Sequence, residues 1–311
     1  MVEGVDRMRT IKNVCVLGSE GQIGKPLSEK LKYLGYSVSE IDVKLGNHDD
    51  LTEIDYFQEY YKKTIRTIKH SDFVFFLAFD IGGANYLSTE DSHFDFISYN
   101  TKLMNNTFEI LSDGKNPFIF ASSMMAARSE QSNYGFLKKL GERYTKSLGG
   151  LSVRFWNVYG QQRWDGKSNV ITEVINQVLM PEIKEVKLMT TGAEARDFMH
   201  VDDCVEALVV MMNNYDRLVV TRPNSVHLST GRRMTSIKDV AKMICKIHEE
   251  ATGEHKEVVG GTQSAFTHNI YDYLPCNDCL LDSSLWSAEI ILNDGLKKIY
   301  TATTNEKKKS Q

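Results

Sequence analysis

The sequence predicts an α/β fold, a doubly wound parallel sheet with a smaller C-terminal α/β lobe. Three observations predict it. Short, continuously apolar runs that suit strands buried on both faces recur through the first half; helical patterns separate them; and a glycine-rich turn joins the first strand to the first helix. At 311 residues the chain is long enough for one large domain or two intimately packed ones.

The elements follow in order. "KNVCVLGS" is the first strand, a helix runs from about Gly24 to Leu34, and "YSVSEIDV" is the second strand. "DFVFFLAF" and "NPFIFASS" are the next apolar strands, a helix begins near Asn133, and "GLSVRFWNVYG" is read as one strand after it. Between Asp42 and "HDDLTE" the chain is short, which predicts a reduced third strand. After about residue 160 the regular alternation gives way to longer loops with helices over 168–180, 201–214 and 236–250, the last capped by Thr235 or Ser236. Residues 1–160 are therefore expected to form the sheet domain and 161–311 mainly a second lobe, interleaved with the first.

Composition narrows the function. With 41% hydrophobic and 25% charged residues and a net charge of −4, nothing suggests a nucleic-acid partner, since nucleic-acid binders usually carry a basic face or stripe. No apolar run approaches the roughly 18 residues of a membrane span, and "MVEGVDRMRTIKN" lacks a signal-peptide core, so a cytoplasmic protein is expected. Five cysteines make no disulfide framework. Cys15, Cys204 and Cys245 read as buried thiols, and the single C-x-x-C of Cys276 and Cys279, without a second pair, reads as incidental, so no metal is expected. The tail "TTNEKKKSQ" is expected to be solvated and frayed.

Two motifs carry chemistry. In "VCVLGSEGQIGKPL", Gly18, Gly21 and Gly24 lie between a strand and a helix. A pyrophosphate at that helix N-terminus meets unpaired N–H groups and the positive end of the dipole, and glycine leaves room for it. Asp42, eighteen residues after Gly24, is placed to accept from both adenosine ribose hydroxyls and to repel a 2′-phosphate, which favours NAD over NADP in a Rossmann-type domain. In "NYGFLKK", Tyr134 and Lys138 fall one helical turn apart. An ammonium and a cationic nicotinamide would lower the phenol pKa, so that Tyr134 takes a substrate proton while hydride leaves, with Ser123 orienting the hydroxyl.

Taken together, "GSEGQIG", Asp42, "FLAF", "YNTKLMNNTFEIL", Ser123, "YGFLK", "RFWNVYG" and "ARDFMHVDD" resemble the extended short-chain dehydrogenase/reductases, the NAD-dependent nucleotide-sugar epimerase/dehydratase family, over almost the whole chain. The resemblance implies a catalytic set of Ser123, Tyr134, Lys138 and Asn100, the last kinking its helix and holding water. It implies that Gln22, Ile23, Asp50, Leu51, Leu77, Ala78 and Phe79 join the glycines, Asp42, Tyr134 and Lys138 around the cofactor. It implies that Gly82, Gly83, Ser122, Ser123, Met124, Asn157 and Arg196 contact substrate, Asn157 and Arg196 at the diphosphate. "RDFMHVDD" also reads as a helix cap, with Asp202 or Asp203 at the N-terminus.

In the 4,6-dehydratases of that family the two positions after the catalytic hydroxyl are Asp and Glu; here they are Met124 and Met125. The 3,5-epimerase and fucose-synthase branches carry cysteine at the second position, and this chain does not. A thioether transfers no proton, so what remains is hydride transfer at C4 of a nucleotide-diphosphate sugar, as a 4-dehydrogenase or 4-epimerase. A 4,6-dehydratase, a 4-reductase and a non-catalytic NAD-binding regulatory protein are the alternatives. Gly82–Gly83 resembles a pair found in GDP-sugar members and hints at a guanine nucleotide. The stretch from Ser123 to Tyr134 is short, which removes a loop that often covers the sugar. Helices near 100–112 and 134–148, with Leu103, Phe108, Leu137 and Leu140, are implied to pair two subunits into a homodimer.

Overall fold

The computed structural model describes residues 10–46, 49–54, 58–162, 166–222, 225–263 and 280–309. The first half alternates β1 (Asn13–Leu17), α1 (Gly24–Tyr33), β2 (Ser37–Ile41), α2 (Glu59–Lys69), β3 (Phe73–Phe76), α3 (Ala84–Glu90), α4 (Phe94–Gly114), β4 (Phe118–Ser123), α5 (Asn133–Ser147) and β5 (Leu151–Phe155). The second contains β6 (Asn157–Tyr159), α6 (Val170–Val178), β7 (Glu185–Lys187), β8 (Ala195–Arg196), β9 (Phe198–His200), α7 (Val201–Asn213), α8 (Tyr215–Thr221), β10 (Val226–Leu228), β11 (Thr235–Ser236), α9 (Ile237–Thr252), β12 (Glu257–Val259) and α10 (Leu292–Lys309).

Six parallel strands make the central sheet in the order β10-β5-β4-β3-β1-β2. Its inner strands are buried almost throughout and largely apolar because helices cover both faces. Strand alternation divides the core in two. Val14, Val16, Phe73, Phe75, Ile119 and Val153 pack with Leu27 and Leu31 of α1 and Leu208 and Met211 of α7. Leu17, Val74, Phe76, Phe118 and Phe120 pack with Ile65 and Ile68 of α2, Phe108 of α4 and Leu137 of α5. A third core joins α6, α9 and α10 through Val174, Val178, Val240, Ile244, Leu296 and Ile299.

Several expectations change. The run 150–160 is two strands: β5 stays in the sheet, while β6 turns away after Trp156 and pairs with β9, Asn157 opposite Phe198. β2 is the sheet edge, and no strand lies between it and α2 among the described residues. β10 and α7, from the second half, complete the sheet and cover it. The tail is helical to Lys309, because Leu296, Ile299 and Tyr300 bury one face of α10. Ser236, not Thr235, caps α9, accepting from the Asp239 N–H at 3.0 Å. Leu103, Phe108 and Leu137 face the sheet core and are 4% exposed or less, so they are not the residues a second subunit would meet. Cys276 and Cys279 lie outside the described residues.

Candidate active site

One cavity of about 1930 Å³ runs along the C-terminal ends of the strands, from the glycine turn to α6, where open parallel sheets place their ligands. At its first end Gly18 has a φ of +84°, and a Cβ there would stand 2.6 Å from the Ala78 nitrogen. A Cβ on Gly24 would meet the Gly18 carbonyl at 2.0 Å. The turn is thus a cradle only glycine can form, floored by Ala78. Gln22 ties it to β6 by donating to the Val158 carbonyl at 3.3 Å, and Ile23 is the N-cap of α1. Asp42, at the end of β2, accepts from the Glu20 N–H at 2.9 Å and the Lys44 N–H at 3.0 Å and lines the cavity. The buried Ser19 hydroxyl has no hydrogen-bond partner among the described residues. Asp50, Leu51, Leu77, Ala78 and Phe79 line the same end. An acceptor-rich diphosphate and a ribose fit this donor-rich turn and its flanking carboxylate.

The centre is set by how α5 begins. Ser132 accepts from the Gly135 N–H at 3.0 Å, and the Asp91 carboxylate accepts from the N–H groups of Asn133 at 2.9 Å and Tyr134 at 2.6 Å. A hydroxyl and a carboxylate against three orphan donors suit the positive end of the helix dipole and fix Tyr134 on the first turn. Ser123 ends β4 and accepts from the Met125 N–H at 3.2 Å, which starts the 3₁₀ turn Met124–Arg128. Lys138 donates to the Ala121 carbonyl at 2.7 Å, and its Nζ sits 3.7 Å from the centroid of the Phe79 ring and 5.9 Å from that of Tyr134.

Burial governs both proton-carrying groups. It pushes the Tyr134 phenol up to about 12 against a hydrogen bond with Ser123 that pulls it down. It pushes the Lys138 ammonium down to about 7. The lysine expected to lower the phenol is itself held near its own neutral point, so the protein alone keeps Tyr134 protonated.

Behind Ser123 lies a polar row across three strands. Register sets Ser122 opposite Arg154 and Arg154 opposite His227. Glu142 of α5 accepts from Ser122 at 2.8 Å and from Arg154 Nε and Nη2 at 2.6 and 2.7 Å. The Ser122 hydroxyl, read as a substrate contact, is thus committed to Glu142. Burial raises the Glu142 pKa, but Arg154 and Ser122 bring it below the ordinary carboxylate value.

Asn100 is wholly buried. It accepts from the Asp80 N–H at 2.8 Å and donates to the carbonyls of Asp80 and Phe96 at 3.2 and 3.1 Å, so it shapes the loop after β3. Asp80 in turn makes a clasp that the sequence reading missed. Its carboxylate accepts from Lys167 at 2.5 Å and from the Tyr86 hydroxyl at 2.7 Å, and Gly83 donates to the Lys167 carbonyl at 2.8 Å. A Cβ on Gly83 would lie 2.2 Å from the Ser168 carbonyl oxygen. Gly82 and Gly83 line the cavity mouth, and Gly83 lets two loops meet across it.

Further along, Met124, Met125, Trp156, Asn157 and Arg196 line the cavity. Trp156 Nε1 and Asn157 Nδ2 are buried donors with no hydrogen-bond partner among the described residues, which suits an acceptor-rich ligand. Arg196 is 7% exposed and donates to the Ala195 carbonyl at 2.8 Å. The cap reading of "HVDD" changes: His200 Nδ1 accepts from the Asp202 N–H at 3.1 Å and caps α7, Asp202 pairs with Lys298, and Asp203 accepts from the N–H groups of Glu289 and Ile290. Among the described residues no His, Cys, Asp and Glu group could hold a metal, and no helix is long and apolar enough to cross a membrane.

The model of the NAD dependent epimerase/dehydratase family matches residues 14–226. The chain is 24% identical over 324 residues to a probable GDP-L-fucose synthase 1 of Oryza sativa subsp. japonica, covering 92% of this chain and 90% of that protein. Among solved structures it resembles a GDP-6-OMe-4-keto-L-xylo-heptose reductase from C. jejuni, with a TM-score of 0.76 and 21% identity, covering 96% and 99% of the two chains. It also resembles MoeE5 in complex with UDP-glucose and NAD, with a TM-score of 0.73, 21% identity and 94% and 99% coverage.

Proposed function

The chain belongs to the NAD dependent epimerase/dehydratase family, and we propose that it transfers hydride at C4 of a nucleotide-diphosphate sugar with NAD as its dinucleotide. The observation that carries this reading is the pairing of Ser123 and Tyr134 at the centre of a cavity whose first end is a glycine cradle and whose far side holds Asn157 and Arg196. A bound nicotinamide supplies the hydride acceptor or donor. Tyr134 moves the proton at the C4 oxygen, Ser123 holds that oxygen in line, and Lys138 lies one helical turn below Tyr134. Arg196 presents a guanidinium suited to phosphate oxygens. Gly18, Gly21, Gly24 and Asp42 would hold the dinucleotide.

The two side chains after Ser123 are thioethers, buried to 5% and 7% exposure, so they supply no acid for water elimination. The product keeps its C6 substituent. A second reading, reduction of a 4-keto sugar, is favoured by the protonated state of Tyr134, since a phenol pushed up to about 12 is poised to give a proton to a ketone oxygen. The similar C. jejuni protein is named as such a reductase.

The test is to incubate the pure protein with NAD or NADH and a panel of nucleotide sugars and 4-keto derivatives. Reduced-nicotinamide absorbance is followed, and products are identified by NMR. Tyr134→Phe should bind cofactor and sugar nucleotide yet lose about 10²–10⁴-fold in rate. A 4-keto-6-deoxy sugar as direct product refutes the C4-only chemistry. Unchanged absorbance together with no new product by NMR, a C4 epimer included, with every substrate refutes catalysis.

A further inference from the structure

Beyond Asn157 and Arg196 the cavity ends on a wall that the hydride chemistry does not use. It is built by α6 and β7, which Gln177 fastens together, donating to the Lys187 carbonyl at 3.2 Å and accepting from the Lys187 N–H at 2.9 Å. On α6 the lining residues are Val170, Ile171, Glu173, Val174 and Gln177, of which Val170, Glu173, Val174 and Gln177 share one helical stripe, and Leu188 lies just past β7. Val174 and Leu188 are 1% and 7% exposed, an apolar surface suited to the face of a heteroaromatic ring.

Glu173 stands at the edge of that surface. It is half-buried, lines the cavity, and its carboxylate has no hydrogen-bond or ion-pair partner among the described residues. Burial holds its carboxyl above the ordinary value. A carboxylate left unpaired beside an apolar wall is satisfied only by donors on whatever occupies the cavity.

Resting on the nucleotide-sugar reading, we propose that this wall seats the nucleobase and that Glu173 selects guanine, accepting from N1–H with one oxygen and from the N2 amino group with the other. Guanine offers those two donors side by side, matching the two oxygens of a carboxylate in a charge-assisted pair. Uracil and thymine offer one N–H flanked by two carbonyl oxygens, which a carboxylate repels. Hypoxanthine keeps N1–H but lacks the amino group. Specificity arises as much from these repulsions and losses as from the pairing itself.

The test is calorimetric titration of wild type and Glu173→Gln with GDP, IDP, XDP and UDP. Wild type should bind GDP at least tenfold more tightly than IDP or UDP. In Glu173→Gln the amide still accepts from N1–H but donates where the carboxylate accepted. GDP affinity should fall at least tenfold and XDP, with an oxygen at C2, should gain. Thermal unfolding of the variant should match wild type, since the side chain has no internal partner among the described residues. Equal weakening of GDP and UDP would assign Glu173 to the ribose and overturn the proposal. So would GDP binding unchanged by the substitution, or equal wild-type affinity for GDP and UDP, and each leaves the nucleotide-sugar reading standing. A wild type that binds none of the four diphosphates overturns both.

Discussion

Lys138→Met should stabilise the fold while abolishing activity. Lys138 is 3% exposed and burial brings its ammonium from the ordinary 10.5 to about 7. At about 1.36 kcal/mol per pH unit, that displacement amounts to about 5 kcal/mol disfavouring the charged form. Methionine fills much of the same volume without charge. It forfeits the hydrogen bond to the Ala121 carbonyl, worth about 1 kcal/mol, and the contact with the Phe79 face, worth about 0.5–2 kcal/mol. The net gain near pH 7 should be about 2–4 kcal/mol. At about 2 °C per kcal/mol for a chain of this size, Tm should rise by about 4–8 °C. The pH dependence has a definite sign. Between pH 7 and 10.5 the unfolded chain holds the proton and the folded one has released it, so wild type gains stability relative to the Lys138→Met variant as pH rises through that window. From pH 7 to 9 the gap should narrow by about 2 kcal/mol. Calorimetric unfolding at pH 7 and pH 9 reads both quantities. A methionine variant that melts below wild type at pH 7, or a gap that widens at pH 9, refutes the claim that desolvation dominates at Lys138.

Four other outcomes are expected. Asp42→Ala should weaken NAD more than NADP by calorimetry, because the carboxylate both braces the turn at Glu20 and excludes a 2′-phosphate; wild type preferring NADP would overturn this. Glu142→Gln breaks one side of a buried pair with Arg154 and should destabilise by about 3–5 kcal/mol in thermal unfolding, whereas a loss under about 1 kcal/mol would show the row to be solvated. Gly83→Ala should part the loops that meet at Ser168 and raise the KM for sugar nucleotide with little change in Tm; an unchanged KM would mean that the clasp does not shape the site. A homodimer through the outer faces of α4 and α5 is expected, where Phe136 and Tyr144 are 57% and 37% exposed, and a monomer mass by light scattering at micromolar protein would refute it.

What was legible in the sequence is what depends on local chemistry. The apolar strands and the glycine turn follow from burial on two faces and from a backbone that admits no Cβ, and both are read from neighbouring letters. The Tyr134–Lys138 pair is legible for the same reason, as one turn of one helix. The groups that position these residues come from far away in the chain. Asp91 holds the start of α5 from 43 residues upstream of Tyr134, and Asp80 reaches Lys167 across 87. His227 joins Arg154 only because β10 returns to the sheet edge. No periodicity or spacing announces such meetings.

The same division explains the misreadings. Leu103, Phe108 and Leu137 have helical spacing whichever face they serve, and only the packed sheet shows that they point inward. Ser122 and Ser123 are adjacent letters, yet strand alternation sends them to opposite faces. Both line the cavity, but the Ser122 hydroxyl is held by the buried Glu142–Arg154 pair while the Ser123 hydroxyl accepts from the Met125 N–H. The proposed active centre is thus anchored from behind by the buried Glu142–Arg154 pair. The groups proposed to react there, Tyr134 and Lys138, are held far from their ordinary ionisation, and burial beside Phe79 and Ala121 is the cause. That is why a substitution at Lys138 should relax the protein as it silences it.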